Sequence, residues 1–152
     1  MVEQLHQTLT FLLNRVAATI ADAGEHEFRQ LGLNLYAVRV LILLHQGSEF
    51  SVGGLAEKAA LEQSTVSHIL RRLQTRGLIR RERQKHDNRT VTVHITDEGR
   101  QLAQKCWDMV QQHDAMLREG LSKSEAKALE GLLIRLYDRV PAFRSLKEEA
   151  PV

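Results

Sequence analysis

The chain of 152 residues has little of several residue types that mark other classes of protein. Its one cysteine, Cys106, allows no intramolecular disulfide and suits a reducing compartment. Prolines occur only at Pro141 and Pro151 and aromatic residues are sparse, which favours a mostly helical protein over a β-sandwich. No apolar run approaches the roughly 20 residues of a membrane-spanning helix, and the first residues lack the pattern of a signal peptide. We therefore expect a soluble, cytoplasmic protein with no membrane partner.

Positive charge is concentrated in the segment from Arg71 to Arg89. This segment has eight basic and two acidic residues, a formal charge of +6, whereas the remainder of the chain carries −4. A strongly cationic element on an acidic body is typical of a surface that binds a nucleic-acid duplex. The charge pattern therefore predicts a nucleic-acid-binding protein.

Two short helices are predicted at the start of the stretch 51–99. Ser51 is a candidate N-cap for the first, and the second extends from about Gln63 to Arg76 and stops at Gly77. The second helix has a predicted buried stripe of Val66, Ile69, Leu70 and Leu73. Its opposite face is polar and basic and consists of Gln63, Ser64, Thr65, Ser67, His68, Arg71 and Arg72. Two helices in this arrangement form a helix-turn-helix pattern.

A β-hairpin is predicted directly after the second helix. The strand candidates are Leu78–Gln84 and Thr90–Thr96, and Lys85–Arg89 is the polar turn between them. The second strand alternates, with one face formed by Val91, Val93 and Ile95 and the other by Thr92 and His94. A hairpin that follows a helix-turn-helix makes a winged helix.

Long helices are predicted on both sides of this unit. The first extends from Glu3 to Leu31, and a second helix begins at the N-cap Asn34 and ends at Gly47. After the hairpin, one helix covers Asp97–Glu119, and a capping box of Ser122 and Glu125 begins the last. Their apolar stripes exceed what a domain of roughly 50 residues can cover, so we expect a two-fold homodimer.

The predicted fold class is mainly α with a small β-hairpin wing, a winged helix-turn-helix flanked by long dimerisation helices. Residues 1–33 and 100–146 are assigned to the dimerisation helices and residues 34–99 to the DNA-binding domain. Residues 147–152 are predicted to form a flexible tail.

Several motifs in this stretch resemble the MarR family of bacterial transcriptional regulators. They are L-A-E-K-A at Leu55–Ala59, S-T-V-S at Ser64–Ser67, L-x-x-L-x-x-x-G-L-I-x-R at Leu70–Arg81 and D-x-R at Asp87–Arg89. They cover the central third of the chain, and the remainder matches in its arrangement of helices. The resemblance implies a dimeric repressor that binds a pseudo-palindromic operator and is released by a small ligand or by oxidation. His68 stands where many relatives have arginine.

Both elements of the winged helix contain candidate DNA-binding residues. Gln63, Ser64, Thr65 and His68 are assigned to base edges or nearby phosphates, because small residues let a helix enter the major groove. Ser67 lies on the same face, and Arg71 and Arg72 are assigned to phosphates. A solvated surface is the alternative interpretation of this face.

In the wing, Asp87 is expected to orient Arg89 for entry into the minor groove, and Arg83 and Lys85 to hold flanking phosphates. A simple surface ion pair between Asp87 and Arg89 is the alternative.

Other chemistry has weaker support in the sequence. Cys106 lies on an inner stripe and is interpreted as a small buried hydrophobic residue rather than a redox sensor. The seven histidines are scattered without metal-ligand spacing, so we expect no metal and no cofactor. A small aromatic or phenolic ligand is a candidate effector. Tyr36, Arg39 and His45 could meet it, although Arg39 is equally suited to an acidic partner, so the ligand site stays unassigned.

The sequence bears on three classes of function. The first is an operator-binding regulator, and the second is a winged-helix module that binds protein or RNA. The charged segment and the arginine in the predicted turn favour DNA. An enzyme is not expected, because the chain lacks G-x-S-x-G, P-loop and G-x-G-x-x-G motifs and its carboxylates do not converge.

Overall fold

A computed structural model describes residues 2–47, 49–84 and 87–139, without the side chains of residues 2–3, 84 and 87–90. The elements in chain order are the helices and strands α1 Val2–Leu5, α2 Leu9–Gln30, α3 Leu35–Gln46, β1 Phe50–Ser51, α4 Val52–Ala59, α5 Gln63–Thr75, β2 Ile79–Gln84, β3 Asp87–Ile95, α6 Asp97–Glu119 and α7 Lys123–Tyr137. The chain forms two compact units, one ending at Gln111 and the other beginning at Gln112. The predicted domain limits at residues 33 and 100 stay a prediction.

The first unit is built around a winged helix, as predicted. Helices α3, α4 and α5 pack against one another, α5 packs on β2, and α3 packs on β3. The core includes the predicted inner stripe of α5, together with buried residues of α3, α4, the sheet and the first half of α6. The fully buried large side chains are Phe28, Val38, Val40, Leu41, Leu44, Leu55, Val66, Leu70, Leu73, Val93 and Cys106.

Local capping signals predicted most helix ends correctly. The side chain of Asn34 accepts a hydrogen bond from the Ala37 amide at 2.8 Å, and that of Ser51 accepts one from the Gly54 amide at 3.1 Å. Gly32 and Gly77 have φ angles of +68° and +71°, the left-handed conformation that ends a helix and favours glycine.

The prediction of one continuous helix from Glu3 to Leu31 is wrong, because the helix is interrupted between Leu5, the end of α1, and Leu9, the start of α2. Thr8 is the N-cap of α2. Its hydroxyl accepts a hydrogen bond from the Phe11 amide at 3.3 Å and donates one to the Leu5 carbonyl at 2.9 Å. Threonine satisfies helix-terminal groups in this way, so it favours a new helix start over continuation.

The sheet has three antiparallel strands in the order β1-β3-β2, rather than the two predicted. The additional strand β1 pairs Phe50 with Val93 and Ser51 with Thr92. Thr92, on the face of β3 opposite Val91, Val93 and Ile95, is buried. Strand β3 also begins at Asp87, within the stretch predicted to be a turn, and the register shifts between Arg83 and Gln84.

The second unit contains the end of α6 and the helix α7. The predicted capping box is present: the Ser122 hydroxyl accepts from the Glu125 amide at 3.3 Å, and a Glu125 carboxylate oxygen accepts from the Ser122 amide at 2.8 Å. Arg118 joins the two helices through hydrogen bonds from Nε to Asp114, at 2.6 Å, and from Nη2 to Glu130. Along α7 the predicted apolar stripe is exposed in the single chain at Leu129, Leu132, Leu133, Leu136 and Tyr137. The predicted tail lies outside the described residues.

Candidate nucleic-acid interface

The polar face of α5 is accessible along the whole helix. Val66, Ile69, Leu70 and Leu73 point into the core and leave the intervening positions outside. The side chains of Gln63, Ser64, His68, Arg71 and Arg72 are exposed, and those of Thr65 and Ser67 are half-buried. The structure therefore brings the seven predicted α5 residues onto one outer surface.

The N-terminus of α5 has no side-chain cap. Glu62 occupies the N-cap position but makes no side-chain hydrogen bond to the first turn. The first amide N–H groups of a helix have no intrahelical partner, and the helix dipole favours negative charge there. This end of α5 is thus suited to an anionic oxygen such as that of a phosphate.

Arg71 and Arg72 are exposed cations at the C-terminal half of α5. Within the described ranges neither guanidinium makes a hydrogen bond or an ion pair. Unpaired arginines in adjacent positions of an amphipathic helix are available to an external anion, and the guanidinium fork matches a phosphate.

Two other arginines of the cationic segment are engaged with the protein itself. Arg76 donates from Nη1 and Nη2 to the carbonyl oxygens of Gly32 and Leu31, at 2.8 and 2.9 Å. Arg81 of β2 donates from Nη2 to the Ser67 carbonyl of α5 at 3.3 Å. Nothing in the local sequence distinguishes these two arginines from the neighbouring ones, because the three carbonyl groups that they bind are distant along the chain.

The wing contributes further charge next to α5. Arg83 is exposed near the end of β2 and lies opposite Val91 of β3, whereas Arg80 is paired with Glu82 at 3.4 Å. Lys85 lies outside the described residues, and the side chains of Asp87 and Arg89 lie outside them too. The predicted interaction of Asp87 with Arg89 therefore stays a prediction.

Comparison with known proteins places this geometry in a family. The profile of the transcriptional regulator SarA/Rot family matches residues 26–106, more than half of the chain. The HTH-type transcriptional regulator MgrA of Staphylococcus aureus is 30% identical over 122 residues, which are 80% of this chain and 80% of that protein. A MarR-family transcriptional regulator from Silicibacter pomeroyi is 28% identical in its crystal structure, with a TM-score of 0.76 over 87% of this chain and 89% of that one. The chain belongs to the MarR-type transcriptional regulators.

The fold is also shared with a protein whose structure contains DNA. The S. aureus MepR–DNA complex matches with a TM-score of 0.81 over 86% of this chain and 97% of that chain, at 19% identity. At that identity the likeness extends to the fold alone.

In this MarR-type regulator two of the three candidate ligand-binding residues, Tyr36 and Arg39, lie side by side, and the third does not join them. Exposed Tyr36 lines a surface cleft with residues of the α5 face, and the Arg39 guanidinium carbon lies 5.9 Å from the centre of its ring. Arg39 also donates from Nη1 to the Ala59 carbonyl at 3.0 Å, so its partner is a helix end rather than an acidic side chain. His45 is separate, with Nε2 lying 3.3 Å from Oε1 of Gln104.

The thiol of Cys106 is inaccessible. Its side chain is 0% exposed, and burial raises the pKa of the thiol from 9.0 to about 11, partly opposed by the charge of Arg76. A thiol of this kind is protonated at neutral pH and reacts slowly.

Among the described residues, no group of three His, Cys, Asp or Glu side chains is arranged to hold a metal ion. None of the helices described is both long and apolar enough to cross a membrane.

Proposed function

We propose that this regulator represses transcription in the cytoplasm by binding a pseudo-palindromic operator as a homodimer, without enzymatic activity. The observation that supports the proposal most directly is the outer face of α5. It combines small hydroxyl side chains, an uncapped N-terminus and two arginines that have no partner in the described structure. This combination suits a duplex, whose major groove offers base edges between two rows of phosphates.

In the proposed complex, the N-terminal half of α5 reads bases and the C-terminal half holds the backbone. Gln63, Ser64, Thr65 and His68 enter the major groove, because helix-turn-helix proteins contact bases chiefly with that half. Ser67, half-buried beside them, is small enough to let the helix approach the groove floor. Arg71 and Arg72, one to two turns further along, contact phosphates. MepR, which shares the fold, was crystallised with DNA.

The wing supplies the second part of the interface. Lys85 and the exposed Arg83 hold phosphates that flank the major-groove site, and Arg89 enters the minor groove, oriented by Asp87. The negative potential of a narrow minor groove favours arginine there. Two copies of the wing and of α5 read two half-sites about 10 base pairs apart.

The homodimer would cover the apolar side chains that are exposed in the single chain. In the first unit these include Leu9, Leu12 and Val16 of α2, and in the second the leucines of α7. Exposed apolar surface of this extent is typical of a subunit interface. We infer that the dimerisation helices come from both ends of the chain.

Release by a small aromatic or phenolic ligand completes the proposal. The cleft beside Tyr36 is also lined by Ser64, Thr65, His68 and Arg72. An aromatic acid that stacks on Tyr36 with its carboxylate near Arg72 would occupy part of the surface that DNA needs.

Selection of bound sites from a random duplex library tests the proposal. We expect an inverted repeat, tight binding of that duplex, and weak binding of single-stranded RNA. Arg89→Ala and Arg72→Ala should each weaken binding several-fold and lower the salt slope by about one. Glu57→Ala, on the exposed part of α4, is the matched control. Recovery of no shared sequence, or a preference for RNA, would favour the alternative of a protein- or RNA-binding module.

A further inference from the structure

The end of α2, the end of α5 and the start of α6 meet at one place in the first unit, and Arg76 joins the first two. Its guanidinium donates to the carbonyls of Leu31 and Gly32, which follow the last turn of α2. Carbonyls at a helix C-terminus have no intrahelical donor, and the dipole makes that end negative. A planar cation with two parallel N–H groups is therefore held there in a defined orientation.

Thr96 connects the start of α6 to the end of α5. Its hydroxyl donates to the Gly77 carbonyl at 2.8 Å and accepts from the Gly99 amide, in the first turn of α6, at 3.1 Å. The Thr96 amide also donates to the Leu78 carbonyl at 3.1 Å. The turn that ends α5 is thus bonded to the start of α6.

The position of Arg76 beside α6 has independent support. Its charge acts on the thiol of Cys106, a buried residue of α6. The guanidinium therefore lies near the end of α2, the end of α5 and the first half of α6. We call this set of contacts, formed by Arg76, Thr96 and their main-chain partners, the three-helix junction.

The junction lies at the opposite end of α5 from its base-reading residues. Helix α5 has 13 residues and is about 20 Å long at 1.5 Å per residue. A rotation of about 10° about the junction would move the N-terminus of α5 by about 3 Å, which is close to the 3.4 Å rise of one base pair. A small rotation of α5 at the junction therefore displaces its base-reading residues by about one base pair along the operator.

We propose that Arg76 is a positioning residue that fixes α5 relative to α2 and α6 and thereby sets the spacing of operator half-sites that the dimer accepts. Arg76 does this without contacting DNA, although it belongs to the cationic segment. The inference rests on the proposed function, because spacing has meaning only for a dimer on an inverted repeat.

The test measures Kd for a series of inverted repeats that differ only in half-site separation, from about 9 to about 12 base pairs around the expected separation. The variant Arg76→Lys keeps the charge but cannot donate to both carbonyls in the same fork. We expect its discrimination between the best and the next-best separations to fall about threefold or more, with an unchanged salt slope. Arg100→Lys, an exposed cation in the first turn of α6 and outside the proposed DNA contacts, is the matched control and should keep the wild-type discrimination.

A second pair of variants addresses the other half of the junction. Thr96→Ser keeps the hydroxyl and should behave as wild type, whereas Thr96→Val removes it and should reduce discrimination as Arg76→Lys does. Helical content and sedimentation of each variant establish that it is folded and dimeric before binding is measured.

The outcomes separate this inference from the proposed function. Wild-type binding to an inverted repeat with no preference for separation would overturn the inference and leave operator binding intact. Discrimination in Arg76→Lys equal to wild type, or an even loss of affinity at all separations, would also overturn it. Failure of the wild-type protein to bind any inverted repeat would overturn the proposed function itself.

Discussion

Gly99, in the first turn of α6, lies against the carbonyl oxygen of Leu78 so closely that a side chain has no room. A Cβ atom at Gly99 would overlap that oxygen and would lie 2.8 Å from Cγ1 of Ile95. The close approach lets Thr96 cap α6 while α6 stays packed on the end of the α5–β2 connection. Glycine is required here by lack of space.

We therefore expect Gly99→Ala to destabilise the protein by about 2 kcal/mol, because the clash is with main chain that cannot move alone. Gly131→Ala is the control, since a Cβ there meets nothing within 4 Å. In the interior of α7 it should raise stability by up to about 1 kcal/mol. Urea unfolding at one fixed protein concentration measures both. Equal effects of the two substitutions would contradict the steric explanation.

Stability should also depend on the ionisation of Cys106. Burial raises the pKa of this thiol to about 11, so the folded protein holds the proton more tightly than the unfolded chain. The resulting stabilisation is fully present below pH 9 and is lost as the pH rises towards about 11. The difference in unfolding free energy between wild type and Cys106→Ala, followed from pH 8 to 11, isolates this contribution from the lysines and tyrosines.

A reagent test is independent of that titration. A thiol-specific reagent at pH 7 should modify the native protein much more slowly than the urea-unfolded chain. Rapid modification of the native protein would show that Cys106 is accessible and would reopen a redox role.

The capping box of α7 should govern opening of its first turn. Ser122→Ala removes the hydroxyl that accepts from the Glu125 amide, so we expect amide exchange in that turn to become about fivefold faster. The Ser122 hydroxyl and amide hold the pKa of Glu125 below its usual value. The contact therefore protects the amides of the first turn from exchange at pH values above the usual pKa of glutamate. This protection is lost as the pH falls through the lowered pKa of Glu125. An amide exchange rate that changes neither on substitution of Ser122 nor on acidification would contradict the capping role of Ser122 and Glu125.

Exposed apolar residues at both ends of the chain should be needed for the dimer. Leu12 of α2 and Leu132 of α7 are 45% and 52% exposed in the single chain. A glutamate at either position would bury an unpaired charge in the proposed interface, which is costly. Leu12→Glu and Leu132→Glu should therefore each shift sedimentation towards the monomer, whereas Lys127→Glu on α7 should not. A wild-type monomer at micromolar concentration would refute the two-ended interface.

Much of the winged helix could be predicted because its signals are local. The spacing of Val66, Ile69 and Leu73 defines the inner face of α5 within a few turns of helix, and Asn34 and Ser51 lie at the helix starts that they cap. The same locality explains the one wrong helix. The apolar repeat continues past Thr8 and so predicted one helix. The two hydrogen bonds of the Thr8 hydroxyl instead favour the start of a new helix at that point.

The amino-acid sequence by itself determined the helical order, the two apolar ends and the cationic segment, because periodicity, caps and charge act between residues close along the chain. Tertiary structure decided which of the arginines bind carbonyl groups of the protein itself. Arg76 reaches carbonyls 44 and 45 residues away, and Arg81 reaches one 14 residues away. It also decided that Thr92 is buried, because β1 approaches from 41 residues earlier. Partners at such separations are selected by packing of the whole unit, and no local pattern encodes them.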